Sequence, residues 1–245
     1  MGEKTFQEHC NICVNPEVLN RIEEKWWGVF NRPISLRISY FLARYTKITP
    51  NQVTALNMIV PLGGFLIVLP GYWGIAFYIA VFEIWAVLDC VDGELARSTN
   101  KTSQYGPYLD SIGHYISYVG LFIPIALKAY LETDQVLILI MGFVLAILVI
   151  LASVAQQMKT VILYKTKIFK NVLSEKTDSL VLKAYRFLVG TLEVAVIVTI
   201  ILLLSMNASS LVREIIWLGF FSVYIALFLI SFFYHIIKAK DQLKD

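Results

Sequence analysis

Val53 to Phe82 is a run of thirty residues without one Asp, Glu, Lys or Arg. No other feature limits the fold of this chain so strongly. Three more such stretches follow: Gln135 to Met158, Val194 to Val212, and Ile215 to Ile237, the last interrupted only by His235. About 20 mostly apolar residues suffice for a helix to cross a bilayer, so these runs are read as membrane spans. The first is long enough for one span and the start of a second, with Pro70-Gly71 as the tight turn between them. The reading is an all-α integral membrane fold of six transmembrane helices, roughly 52–69, 72–96, 107–131, 135–159, 182–206 and 212–237. At 58% apolar and 16% charged residues, the composition lies outside that of ordinary soluble domains.

Orientation follows from the basic residues. Seven of the 21 Lys and Arg precede the first span, two lie between spans two and three, seven run from Lys159 to Arg186, and three follow the last span. Only Lys128 and Arg213 fall on the other side. The positive-inside rule then puts both termini in the cytoplasm, and a net charge of +3 suits an anionic membrane surface better than nucleic acid.

The polar first fifty residues show no apolar signal-peptide core, so no cleaved targeting segment is expected. They read as a leader, 1–50, with amphipathic interfacial helices. Leu19, Ile22, Trp26 and Phe30 recur at helical spacing with charges between them, which suits either a membrane surface or the protein's own loops. Arg32-Pro33 is expected to break this helix. A second short helix with Leu36, Ile38, Phe41 and Leu42 runs to about Tyr45. Thr49 is a plausible cap and Pro50 a tolerated first-turn residue for span one. His9-Cys10-x-x-Cys13 resembles half of a zinc site, but no second Cys/His pair accompanies it, and the leader is expected to be flexible there.

The chemistry lies in the acidic residues, because membrane helices rarely carry carboxylates without a use or a partner. Asp89, Asp92, Glu94 and Asp110 fall within twenty-two residues. Asp89 and Asp92 share one helical face, as do Asp110 and His114 on the next helix. Two adjacent antiparallel helices would aim three carboxylates and an imidazole into one pocket. Clustered carboxylates repel one another unless cations hold them, and hard divalent ions such as Mg²⁺ or Mn²⁺ accept such a shell. Gly93, Ala96 and Gly106 leave room for a ligand, and Arg97 can hold a phosphate bidentately. Glu83 and Glu193 are weaker signals that helix–helix hydrogen bonds would also explain.

Asp89-x-x-Asp92-Gly93-x-x-Ala96-Arg97, eight residues, then Gly106-x-x-x-Asp110-x-x-x-His114 resembles the signature of the CDP-alcohol phosphotransferase family. Seven of the eight fixed positions match at the family spacing. Pro50-Asn51-x-x-Thr54 before the first span extends the resemblance and adds Asn51 and Thr54 to the nucleotide contacts. The resemblance implies two divalent ions held by Asp89, Asp92 and Asp110, and a CDP pocket shaped by Gly93, Ala96, Arg97 and Gly106. It also implies a homodimer, with 51–240 as a six-helix membrane catalytic domain. In the family a hydroxyl attacks the phosphorus bearing the alcohol, and CMP leaves. At the eighth position the family has Asp, assigned as the base that activates the acceptor, where this chain has His114. A neutral imidazole also takes a proton, but it brings no negative charge and is a poor Mg²⁺ ligand. His114 is therefore expected to act as the base beside Asp110. The alternatives are a non-catalytic member of the family and an ion-coupled carrier, although carriers favour sites at the midplane and this cluster lies near one membrane face.

Overall fold

The computed structural model describes residues 5–14, 26–165, 191–206 and 208–242. Among these the chain is all-α, with no strand. The helices are α1 (Phe6–Cys13), α2 (Trp26–Tyr45), α3 (Pro50–Ile59), a 3-10 stretch (Val60–Val68), α4 (Gly71–Ser98), α5 (Tyr105–Thr133), α6 (Val136–Lys165), α7 (Thr191–Ser205) and α8 (Ser210–Gln242).

Five stretches are long and apolar enough to cross a membrane: Pro50–Val68, Gly71–Ser98, Tyr105–Thr133, Val136–Ile162 and Ser210–Lys240. The chain is an integral membrane protein, and these five match expected spans. The sixth, expected over 182–206, is described only from Thr191, and its apolar part Val196–Ser205 is shorter than a span. Its first nine residues lie outside the described residues.

Local signals explain the helix ends. Thr49 caps α3 through a capping box: Gln52 N–H donates to its Oγ1 (3.4 Å), and its own N–H donates to Gln52 Oε1 (2.9 Å). Pro50 occupies the first turn, where a missing N–H costs nothing. Gly71 has φ +63°, a left-handed conformation that glycine adopts freely, so Pro70-Gly71 is the turn the sequence suggests. Asn100, at φ 55°, ends α4, and Lys101 N–H closes back on Ala96 C=O at 2.9 Å.

Pro33 corrects one expectation. Instead of breaking at Arg32-Pro33, α2 runs unbroken from Trp26 to Tyr45 with Pro33 inside it. An interior proline costs about 3 kcal/mol. The offset is visible on the buried face, where Arg32, Ser35 and Ser39 all hydrogen-bond or ion-pair with Glu94. Leu19 and Ile22 of the expected interfacial stripe lie outside the described residues. Where the cysteines sit the leader forms a capped helix, α1, with Thr5 and Glu8 making its capping box.

The described residues form two compact units. In the first (1–66 and 76–120), Val53, Val91 and Leu95 make a small core against Ile38, Leu42 and Ala43 of α2. Tyr78, Phe82 and Trp85 stack along α4. A Cβ on Gly64 would collide with the Gly120 carbonyl, and one on Gly120 with the Pro61 carbonyl. These two glycines therefore permit the backbone contact between the 3-10 stretch and α5, the small-residue packing typical of membrane helices. In the second unit (67–75 and 121–245), α6 and α8 pack around Leu145, Val149 and Phe221. Gly142 meets Ala126 at a spot with no room for a side chain. The Trp217 indole donates to Glu132 (3.3 Å), which also pairs with Lys128 at 3.6 Å.

Candidate active site

The sequence-derived site residues lie in the first unit, on three helices. The α3 N-terminus brings Pro50, Asn51 and Thr54. The last turns of α4 bring Asp89, Asp92, Gly93, Ala96 and Arg97, and the first turns of α5 bring Gly106 and Asp110. Together they line a cavity of about 350 Å³. The i, i+3 and i, i+4 spacings do what helical geometry requires, placing each pair on one face.

Asp89, Asp110 and His114 come together. His114 Nε2 lies 3.9 Å from Asp89 Oδ1 and 3.7 Å from Asp110 Oδ2. One donor atom from each of the three falls within 4.8 Å of the others, a set that could hold a metal ion. The Trp85 ring, one turn before Asp89, meets the His114 ring edge-on with centroids 5.6 Å apart. His114 does not itself line the cavity; it meets the cavity wall through Asp89 and Asp110.

Asp92 lines the same cavity but is held differently. Thr54 Oγ1 donates to its Oδ2 and Gly93 N–H to its Oδ1, each at 2.6 Å. The structure thus brings three aspartates to one cavity, as expected, but adds His114 rather than Asp92 to the tightest cluster. The donor set fits a divalent cation. Asp89 and Asp110 face His114 and each other with few donors, so a cation would relieve the mutual repulsion of like charges.

Arg97 and Lys101 also line the cavity. The Arg97 guanidinium folds back over Gly93, with Nη1 3.2 Å from where a Cβ would stand. Any side chain at 93 would push it away. A Cβ on Gly106 would meet nothing closer than 3.8 Å, so that glycine leaves cavity volume rather than relieving a clash. Lys101, Thr102, Ser103 and Pro107 line the same wall. The signature pattern fixes none of these four positions. Ser103 had a readable signal: a hydroxyl three residues before Gly106 at a helix start, and Gly106 N–H does donate to Ser103 Oγ at 3.2 Å. Trp85 carried no signal beyond helical spacing.

Two other acidic residues lie elsewhere. Glu94, grouped with the aspartates by sequence proximity, is fully buried against α2. Glu83 does not line the cavity, and the Glu193 side chain lies outside the described residues. His9 and Cys13 pair with one another at 3.5 Å, but neither joins a three-ligand cluster among the described residues. Burial and the charge of Glu94 push the Cys13 thiol up to about 11. Protonated, it donates to the Glu94 carbonyl at 3.4 Å.

Comparison with known proteins agrees with this geometry. A bifunctional IPC transferase and DIPP synthase of Thermococcus kodakarensis is 31% identical over 182 residues, covering 74% of this chain and 38% of the relative. A protein of the same description from Aquifex aeolicus is 36% identical over 92 residues, covering 37% of this chain and 20% of the relative. An archaetidylinositol phosphate synthase of Pyrococcus horikoshii is 33% identical over 102 residues, covering 39% of this chain and 50% of the relative. The matches thus span at most half the length of these curated relatives. The model of the CDP-alcohol phosphatidyltransferase family matches residues 47–229, three-quarters of the chain and the whole of the cavity wall. On that match the chain belongs to the CDP-alcohol phosphatidyltransferase family.

Proposed function

We propose that this chain transfers a substituted phosphate, an alcohol phosphate or phosphatidyl group, from a CDP-alcohol to an acceptor hydroxyl with release of CMP. The observation that carries this reading is one cavity lined by three aspartates together with Arg97, Lys101 and the N-termini of α3 and α5. A diphosphate suits such a lining, because helix N-termini and a guanidinium favour phosphate while the carboxylates favour cations that neutralise it.

Asp89, Asp92 and Asp110 would hold two divalent ions, Mg²⁺ or Mn²⁺, which when bound neutralise the diphosphate and favour displacement at phosphorus. Thr54 and the Gly93 amide orient Asp92 through the two 2.6 Å bonds. Arg97 binds the nucleotide's phosphate, with Gly93, Ala96, Gly106, Asn51 and Thr54 shaping the pocket. The acceptor oxygen gives its proton to His114 Nε2 and forms the new P–O bond. The P–O bond to CMP breaks, and CMP carries off the electron pair.

A second role for the histidine is favoured by one observation: Nε2 points at Asp89 and Asp110 rather than into the cavity. In that role His114 completes the cation shell instead of accepting the proton. His114→Asp would preserve activity in either role. His114→Ala separates them, since loss of a ligand raises the divalent ion concentration required, whereas loss of a base does not.

The name of the Pyrococcus horikoshii relative, an archaetidylinositol phosphate synthase, points to an inositol phosphate headgroup, so the acceptor proposed is a polyol phosphate or a lipid. The division into a 1–50 leader and a 51–240 catalytic domain, cytoplasmic termini and active site, and a homodimer are part of the same proposal. The exposed Phe30, Ile34, Phe41 and Tyr45 of α2, opposite the buried Ser35 and Ser39, support a leader lying in the membrane interface. The test is CMP release by purified protein across a panel of CDP-alcohols and acceptors. Release with at least one pair supports the reading, and none with any pair favours a non-catalytic member.

A further inference from the structure

Glu94 occupies a variable position of the signature, two residues after Asp92 and three before Arg97, and it is fully buried. Ser35 Oγ donates to its Oε1 at 2.8 Å and Ser39 Oγ to its Oε2 at 2.7 Å. Arg32 Nη1 lies 3.4 Å from Oε1. A second layer stands behind the first. His9 Nε2 is 2.9 Å from Ser39 Oγ; since the serine proton goes to Glu94, the imidazole N–H donates to the serine oxygen. Cys13 donates to the Glu94 carbonyl at 3.4 Å, and Arg32 Nη2 to the Cys13 carbonyl at 3.5 Å.

Every one of these partners comes from residues 9–39, upstream of the 47–229 family match. The leader therefore grips α4 at a residue inside the signature. Such a buried ion pair is weak evidence for added stability, because desolvation cancels most of the attraction. What it does supply is register. Rotation or sliding of α4 would break two hydrogen bonds shorter than 3 Å. Arg97 lies less than one turn further on the same helix and folds over Gly93 at the cavity, close enough to Glu94 and Cys13 to act on both electrostatically.

We propose that Glu94 is a positioning residue for Arg97, and that through it helices α1 and α2 set the affinity of the cavity for the CDP-alcohol donor. This rests on the donor reading above. The full-length protein in detergent is titrated with CDP by calorimetry, and donor KM and kcat are measured from CMP release, for wild type, Glu94→Gln, Ser39→Ala and Arg97→Lys. In Glu94→Gln and Ser39→Ala, CDP affinity falls and donor KM rises by about tenfold, with kcat held within about twofold. Combining Ser39→Ala with Arg97→Lys adds little to Arg97→Lys alone, since both act through one guanidinium. If Glu94→Gln does not fold, Ser39→Ala decides. A folded Ser39→Ala with wild-type CDP affinity and KM overturns the inference, as does a loss confined to kcat. Wild type that does not bind CDP overturns the donor reading, and this inference with it.

Discussion

Two groups of carboxylates lie within twenty-two residues of one another and are treated in opposite ways. Glu94 is fully buried, and each oxygen receives a serine hydroxyl while Arg32 supplies the counter-charge. Asp89 and Asp110 are partly open to a cavity and face His114 and one another, with Asp89 32% and Asp110 42% exposed. Burying an acid is tolerable only with donors on it, and Glu94 satisfies that rule within the protein. The aspartates do not, a shortfall that fits the cations proposed for them. Asp92 stands between the two cases, with one donor on each oxygen yet on the cavity wall.

The largest effect should come from the open group. Asp110→Asn should lower CMP release by more than about 10⁴-fold, because residues that act as a unit fail together. Its melting temperature in EDTA should hold or rise, since one of the facing like charges is gone. A melting temperature that drops as far as that of a Glu94 variant would erase the contrast between the two groups.

His114→Ala comes next, with a loss of about 10²–10⁴ in rate if the imidazole is the base. His114→Asp should restore much of it. Wild-type turnover by His114→Ala at every divalent ion concentration would make the ring a packing partner of Trp85 and nothing more.

The closed group should answer in stability. Glu94→Gln leaves Arg32 buried without its counter-charge, a change that costs about 3 kcal/mol or more, read as a lower midpoint in thermal unfolding in detergent. The enzyme that remains folded should keep its kcat. An unchanged midpoint would show that the serines and Arg32 are satisfied without the carboxylate.

The smallest of these effects belongs to Arg97. Arg97→Lys keeps the charge and loses the fork, so CDP affinity should fall by about 1–2 kcal/mol. Unchanged affinity in calorimetry would remove Arg97 from the phosphate site.

Spacing made much of this legible before any coordinates. The i, i+3 and i, i+4 positions of Asp89, Asp92, Asp110 and His114, the Thr49 cap and the Pro70-Gly71 turn are all local, and local signals survive folding. Glu94 falls among the aspartates in sequence, yet the sequence assigns it no role. Two residues along a helix is about 200° around it, so Asp92 and Glu94 face opposite sides. The donors that identify its role lie 55 and 59 residues away, which no periodicity reveals. The unbroken α2 has the same origin, because contacts with a distant helix outweigh the local cost of Pro33. Likewise the Cys10 and Cys13 spacing suggested a metal half-site or a loose leader, whereas the docking of α1 through His9 and Cys13 depends on Ser39 and Glu94.

The central claim is that the aspartate-lined cavity, loaded with divalent ions, is where the CDP-alcohol gives up its phosphate. The direct measurement is CMP release by purified wild type and Asp92→Asn, each with Mg²⁺, with Mn²⁺ and with excess EDTA, both proteins first shown to be folded in detergent. The account predicts CMP only from wild type and only with a divalent ion present. Full turnover in EDTA, or by Asp92→Asn, would contradict it.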